Sequence, residues 1–340
     1  MDQPMAIVSK ASSGSKLAGI HSVSTKQSAG IKQSAGLVCA ALLTFSGYSW
    51  AETQSDNWAN SSVDSSVENA EAQTETAPAG PSALRQRLEE ELRLAENPLI
   101  FLPYKANFFL PASYYSGHEA SERSRGTEYG PTEAHFQISL KFPIDRELFF
   151  ENDGLFATYT QESYWQIYED SSPFRETIYE PELIYGISTE YDIFKELTLE
   201  AVTVGVNHQS NGQGGDFSRS WNRLFVEGIF ASGDWGISLK RWFRIPESEG
   251  SDDNPDLEDY VGLTELGMAY SKNGHVFTLR SRNHLESGFD RGNLQLSWSF
   301  PVGERYKGYI LARTGHGDTL ADYNERIDRI GIGISINDVL

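Results

Sequence analysis

The feature that most constrains this sequence is an alternation of apolar and polar residues that recurs from Asn97 to residue 340. Phe136 to Phe142 and Ile330 to Ile336 are two segments with an apolar residue at every second position. Side chains two positions apart in a strand share one face, so the pattern predicts antiparallel strands separated by turns rich in Gly, Asp, Asn and Pro. With about 10 residues per membrane-spanning strand, roughly twelve strands would occupy about half of residues 97–340.

Two all-β folds fit this alternation. In a soluble periplasmic β-sandwich the apolar faces point inward, whereas in a membrane barrel they point to lipid and the polar faces fill the lumen. The polar faces here are very hydrophilic, with Gln137, Ser139 and Lys141 opposite the first apolar stripe. The mean hydropathy of -0.44 excludes a series of membrane helices. Together with the N-terminal segment described next, this favours a transmembrane antiparallel β-barrel of about twelve strands.

The N-terminal region predicts export. Four lysines precede the apolar run Leu37–Phe45, and Ser49-Trp50-Ala51 follows it, an order typical of a signal peptide over residues 1–51. Residues 52–96 are predicted to form an acidic, disordered tether with a short solvated helix near Arg85 to Ala95, and residues 97–340 the barrel domain. Cys39 is the only cysteine, so the mature chain has no disulfide.

The net charge of -20 disfavours nucleic acid as a partner. An acidic balance is equally compatible with an ordinary soluble protein and with a surface that attracts divalent cations, and the charge alone does not choose between them.

Candidate chemistry is concentrated in residues 197–223. Alternate positions from Val202 to Val206 share one strand face, which continues through His208 to Ser210. After a Gly-rich loop, Asn222 lies on the matching face of the returning strand and is expected beside His208. A serine nucleophile needs a base, and the base needs a group that holds its tautomer, so these three side chains supply the required roles. A His and a Ser two residues apart are also common in ordinary strands.

Two nearby segments offer further groups. The backbone N–H groups of Asn211 to Gly215 suit an oxyanion, and a divalent ion bound there could polarise a water. The acidic segment Asp252 to Asp256 fits either a simple turn or a metal site.

Several separate motifs together resemble the outer-membrane phospholipase A family, in order and in spacing. They are Tyr159–Gln161 (YTQ), Ser171–Thr177 (SSPFRET), Asn207–Gly212 (NHQSNG), Ser218–Leu224 (SRSWNRL) and Asp252–Asp256 (DDNPD). The resemblance implies a twelve-stranded barrel in the bacterial outer membrane. It also implies calcium-dependent hydrolysis of glycerophospholipids at either acyl position, including lysophospholipids, and activation when the resting monomer forms a homodimer.

The resemblance assigns roles residue by residue. Ser210 matches the nucleophile, His208 the base, Asn222 the orienting amide and the N–H of Gly212 an oxyanion donor. The residues matching calcium ligands are the Ser218 side chain, the Gln213 carbonyl, Ser171 from the second subunit, and Asp253 at an alternative position in the monomer. Gln161 matches a polar residue of the dimer interface.

The leading hypothesis is therefore a phospholipase with a Ser-His-Asn site on the lipid-facing surface. The alternatives are a barrel without catalysis, acting as a passive pore or structural protein, and the soluble β-sandwich.

Overall fold

The structure is a computed structural model that describes residues 82–97, 100–117, 129–248, 250 and 252–337. The predicted signal peptide and residues 52–81 of the predicted tether lie outside these residues. The described strands are β1 Leu102–Pro103, β2 Phe108–Ser116, β3 Thr132–Arg146, β4 Asp153–Trp165, β5 Phe174–Phe194, β6 Leu197–Ser210, β7 Ser220–Ser232, β8 Trp235–Arg244, β9 Thr264–Lys272, β10 His275–Arg282, β11 Asn293–Pro301, β12 Lys307–Gly315 and β13 Ile327–Ser335.

Strands β2 to β13 form a closed antiparallel barrel. Each pairs with its neighbours along the chain, and β13 pairs back onto β2. The two-residue β1 lies on the same edge of β3 as β2, with Leu102 opposite Lys141 and Phe108 opposite Gln137. Closure pairs the strand edges, as lipid requires of a spanning sheet. The predicted twelve-stranded barrel is thus confirmed for the described residues.

The two faces of the barrel wall are inverted relative to a soluble protein. On β3, Ile138 and Leu140 are exposed, whereas Gln137, Ser139 and His135 are buried. Ile330, Ile332 and Ile334 on β13 are exposed in the same way. Large apolar side chains normally lie inside a soluble domain. An apolar outer surface around a polar interior is the pattern of a membrane barrel, and the soluble β-sandwich alternative is wrong.

The interior is held by paired charges. Arg329 forms ion pairs with Glu133 at 2.9 Å and with Asp318 at 2.7 Å, and all three side chains are fully buried. Arg175 adds pairs to Glu133 at 3.0 Å and to Asp322 at 2.8 Å. Buried charges are tolerated only when they are paired, so the alternating polar residues form a packed polar core.

The two ends of the barrel differ in loop length. Residues 195–196, 233–234 and 273–274 form tight turns at one end, whereas residues 211–219 and 245–263 form long loops at the other. Outer-membrane barrels have short periplasmic turns and longer extracellular loops, which orients the molecule. The short helix α2, Leu257–Val261, folds from a long loop into the outer mouth and packs on Tyr164 and Trp221.

Helix α1, Ala83–Leu94, lies at the short-turn end. The hydroxyl of Ser82 accepts a hydrogen bond from the N–H of Arg85 at 3.1 Å and caps its first turn. Arg85 forms an ion pair with Glu200 of β6 at 3.0 Å, and Glu91 forms one with Lys141 of β3. The helix is therefore not simply solvated, as its sequence suggested, but ion-paired to the barrel wall. No described helix is long and apolar enough to cross a membrane.

Candidate active site

The hairpin formed by β6 and β7 brings the predicted site residues together. In its register His208 lies opposite Asn222, and Ser210 lies opposite Ser220. Val204 and Val206, which precede them on the same face of β6, are 44% and 45% exposed. The site therefore lies on the outer surface of the barrel, at the end that carries the long loops, as the strand parity predicts.

A hydrogen bond joins two of the three side chains. Nδ1 of His208 and Oδ1 of Asn222 are 2.9 Å apart. This contact places the proton on Nδ1 and leaves the lone pair of Nε2 free to accept a proton. Among the described residues, the Ser210 hydroxyl has no hydrogen bond to His208. Such contacts are often loose without substrate and tighten when it binds.

The loop after β6 is held by Asn211, which the sequence analysis did not single out. Asn211 is buried, and its Oδ1 accepts from the backbone N–H groups of Gln213 at 3.2 Å and Arg219 at 3.0 Å. Its Nδ2 donates to the carbonyl of Phe217 at 3.0 Å. One amide thus ties both ends of the loop, and the Asn-Gly pair at 211–212 was the available sequence signal for a tight turn.

Gly212 has a backbone that requires glycine. Its φ is +65°, and a Cβ added there would lie 2.9 Å from the ring of Tyr179. Tyr179 is the residue opposite Ser210 on β5. Gly212 lies two residues after Ser210. It therefore allows the loop to approach β5 closely at Tyr179.

The residues predicted to bind calcium lie on three loops at the same end of the barrel. Gln213 and Ser218 share the loop after β6, where the N–H of Ser218 donates to the carbonyl of Gly215 at 3.0 Å. Ser171 is exposed between β4 and β5, and Asp253 is exposed between β8 and β9. The described residues contain no cluster of three or more His, Cys, Asp or Glu side chains able to hold a metal. Hydroxyl and carbonyl oxygens are nevertheless ligands that Ca²⁺ accepts, so the donor chemistry fits.

Gln161 lies two strands away from Ser210. It is opposite Tyr179 across β4 and β5, and Tyr179 is opposite Ser210 across β5 and β6. Its Oε1 accepts from the hydroxyl of Tyr159, an exposed neighbour, at 3.0 Å. Gln161 is thus a polar group on the outward surface, in line with the site.

A carboxylate that the sequence analysis missed lies behind Asn222. Nδ2 of Asn222 donates to Oε1 of Glu247 at 3.2 Å. The backbone continues the contact, because the N–H of Ile245 donates to the carbonyl of Asn222 at 2.8 Å.

The wall behind the site is braced from the lumen. Trp221 is fully buried, and its Nε1 donates to Oε1 of Gln209 at 2.8 Å. The guanidinium of Arg223 stacks 4.0 Å from the Trp221 ring and pairs with Glu180 at 3.0 Å. Inward residues of β6 and β7 therefore fix the strands whose outward residues form the site.

Comparison with known proteins identifies relatives over most of the chain. A family model described as Phospholipase A1 matches residues 84–336. Phospholipase A1 of Escherichia coli K12 is 35% identical over 253 residues, covering 72% of this chain and 84% of the relative. That of Klebsiella pneumoniae is 34% identical over 250 residues, covering 72% and 85%.

Solved structures agree with these relatives. Outer membrane phospholipase A from Escherichia coli superimposes with a TM-score of 0.66 at 33% identity, covering 71% of this chain and 100% of that one. The outer membrane phospholipase dimer of Salmonella typhi with bound calcium gives a TM-score of 0.65 at 34% identity, covering 72% and 94%.

Proposed function

This chain belongs to the phospholipase A1 family of outer-membrane lipid-ester hydrolases, and we propose that Ser210, His208 and Asn222 carry out its reaction. The observation that carries the proposal is the 2.9 Å hydrogen bond between His208 and Asn222 on the lipid-facing surface, with Ser210 next on the same strand face. A site on that surface meets phospholipid esters directly.

The reaction follows from the tautomer that Asn222 imposes. Nε2 of His208 takes the proton of the Ser210 hydroxyl as its oxygen attacks the ester carbonyl carbon. The tetrahedral intermediate then collapses, the C–O bond of the ester breaks, and His208 returns the proton to the departing alcohol. Water attacks the acyl-enzyme with the same base, which releases a fatty acid and restores Ser210.

Charge on the intermediate oxygen needs stabilisation. The N–H of Gly212 is the proposed donor, since Gly212 lies two residues from Ser210 in a loop held by Asn211. Calcium, when bound, would supply positive charge that favours the oxyanion. Its proposed ligands are the Ser218 hydroxyl, the Gln213 carbonyl and Ser171 of a second copy, with Asp253 as a ligand in the monomer.

We further propose that a homodimer is the active form. The exposed position of Ser171 leaves it free to reach a second copy, and Gln161 offers a hydrogen-bonding group on the outward surface near the site. The calcium-bound Salmonella typhi relative is a dimer, which supports the same arrangement. Dimerisation would then activate an enzyme that is inactive as a monomer, although it is surrounded by its substrate lipids.

The alternative of a passive pore has less support. Buried ion pairs such as Arg329–Glu133 occupy the described lumen, and α2 fills part of its outer mouth. No observation in the described residues favours transport over hydrolysis.

Fatty acid release by the refolded protein in detergent tests the proposal. The expected result is calcium-stimulated turnover that a chelator reduces and that Ser210→Ala abolishes. Ser220→Ala is the matched control, because Ser220 is the serine opposite on β7 and is expected to leave turnover intact. Full activity of Ser210→Ala would contradict the serine mechanism. Full activity with chelator would contradict only the proposed role of calcium. Phospholipids with different acyl chains at the two positions, and a lysophospholipid, will show which esters are cleaved.

A further inference from the structure

We propose that Glu247 is a positioning residue that acts on His208 through Asn222, so that the site is a relay of four side chains. This deepens the proposed function and rests on it. A neutral amide stabilises a protonated imidazole less than a carboxylate does, and Glu247 supplies the negative charge one hydrogen bond further back.

The chemistry of Glu247 fixes the orientation of the Asn222 amide. An ionised carboxylate only accepts hydrogen bonds, so the group 3.2 Å from Glu247 Oε1 is the NH₂ of Asn222. Oδ1 of Asn222 then lies 2.9 Å from Nδ1 of His208 and accepts a hydrogen bond from the Nδ1 proton. The reverse amide orientation would point an oxygen at a carboxylate and an NH₂ at the imidazole, which would place the proton on Nε2 and remove the base.

The loop that carries Glu247 is held close to Asn222. The N–H of Ile245 donates to the carbonyl of Asn222 at 2.8 Å, so the chain leaving β8 runs beside Asn222. Arg244 secures the same loop further on, through Asp252 at 2.7 Å and the carbonyl of Asn254 at 3.2 Å. The side chain of Glu247 is half-buried, which limits the screening of its charge by solvent.

Charge transmitted through the amide affects one step in particular. A hydrogen bond from an amide to a carboxylate is charge-assisted, and neighbouring hydrogen bonds polarise one another. With Glu247 ionised, the oxygen of Asn222 therefore carries more negative charge than it would without Glu247. This charge stabilises His208 when the imidazole becomes protonated. Because protonation accompanies attack and not lipid binding, removing the charge should lower kcat and leave KM unchanged.

The first experiment compares Glu247→Gln with Glu258→Gln in fatty acid release. The amide replacement keeps the shape of Glu247 and removes only its charge, and we expect kcat to fall about five- to tenfold with constant KM. Glu258→Gln removes a carboxylate from α2 in the same long loop without touching Asn222, and should retain wild-type kcat. Circular dichroism verifies that each variant is folded. An unchanged kcat in Glu247→Gln, or an equal loss in Glu258→Gln, would overturn the relay.

The second experiment repeats Glu247→Gln in the Asn222→Asp background. There a carboxylate contacts His208 directly and Glu247 becomes a like-charged neighbour, so Glu247→Gln should raise kcat instead of lowering it. A residue that merely supported the loop would lower kcat in both backgrounds, and that outcome contradicts the proposal. If Ser210→Ala retains activity, the proposed function itself fails; if Ser210→Ala is inactive but Glu247→Gln has wild-type kcat, only the relay fails.

Discussion

At the scale of single residues, Gly212 is the position where the loop can least tolerate a side chain. Its positive φ and the 2.9 Å approach of an added Cβ to Tyr179 both oppose Gly212→Ala. We expect this variant to displace the proposed oxyanion donor and to lower kcat by about 100-fold or more, the order seen when one such donor is lost.

Gly214→Ala is the matched control for that prediction. Gly214 lies two residues further along the same loop, with a φ of -117° and no atom within 4 Å of an added Cβ. Steady-state kinetics of both variants should give a large loss for the first and near wild-type kcat for the second. Equal losses would indicate a general need for loop flexibility instead of a donor at Gly212.

The site residues on strands could be predicted from strand geometry, whereas Glu247 and Asn211, which lie in loops, could not. Period-two alternation places His208 and Ser210 on one face, and antiparallel return places Asn222 opposite His208. Glu247 follows no such rule, because it lies 25 residues after Asn222 in a loop whose path depends on its own tertiary contacts. Asn211 was missed for a similar reason, since three backbone contacts within the loop decide its role.

At the scale of elements, α1 depends on the charge of Glu91. Burial raises the pKa of the Glu91 carboxyl, but the charges of Lys141 and Arg87 outweigh burial and hold the pKa below its usual value of 4.5. A lowered folded-state pKa means that the ionised form stabilises docking fully above pH 4.5, and that this contribution is lost as the pH falls through the folded-state value.

Glu91→Gln should therefore loosen α1 at neutral pH. Hydrogen exchange of the α1 amides is expected to speed up by about tenfold, comparable to the loss of one charged hydrogen bond. The difference from wild type should shrink as the pH falls, because wild-type Glu91 also becomes neutral. Glu90→Gln is the control, since exposed Glu90 pairs with Arg93 on the same helix. A pH-independent difference would argue against the charge as the cause.

The sequence predicted that α1 exists but not where it packs. Leucines spaced among charges indicate a helix, while its docking depends on partners far along the chain, such as Arg85 and Glu200, which are 115 residues apart. The strands were more predictable, because their alternation is set by the two environments on either side of the wall.

At the scale of the whole molecule, buried ion pairs in the lumen stabilise the barrel alongside small hydrophobic clusters. Arg329→Met leaves Glu133 and Asp318 buried without one of their cationic partners. Breaking such a buried pair typically costs about 3–5 kcal/mol, so unfolding in guanidinium should shift to clearly lower concentration. Arg93→Met removes an exposed pair on α1 and should leave the midpoint unchanged. Equal midpoints for both variants would contradict the proposed importance of the lumen network.

Dimerisation can be tested with one engineered cysteine, because Cys39 is the only cysteine and precedes the predicted cleavage site. Gln161→Cys should form a disulfide-linked dimer upon oxidation under conditions of high activity. Phe277→Cys is the control: Phe277 is an exposed residue on β10, six strands away on the opposite side of the barrel. Cross-linking at both positions alike would indicate random collision in the micelle.

The number of strands could be predicted from repeated local patterns, whereas the inverted faces could not be predicted from the alternation alone and were favoured only together with the predicted export signal. The ion pairs could not be predicted, because they join residues that are far apart in the sequence and that barrel closure brings onto nearby strands, as with Arg329 of β13 and Glu133 of β3, which are 196 positions apart.

The β6–β7 hairpin forms by local contacts, whereas closure of the barrel requires contacts between strands far apart in the sequence. His208 and Asn222 are only 14 residues apart in the sequence. The seam, in contrast, joins β2 and β13, the first and last strands of the closed barrel along the sequence. Short loops close at a lower entropic cost and in less time than long ones. The imidazole and its amide can therefore meet while the polypeptide is still an open sheet, and closing the seam then supplies the rigid wall and the lipid-facing surface that carry the proposed site.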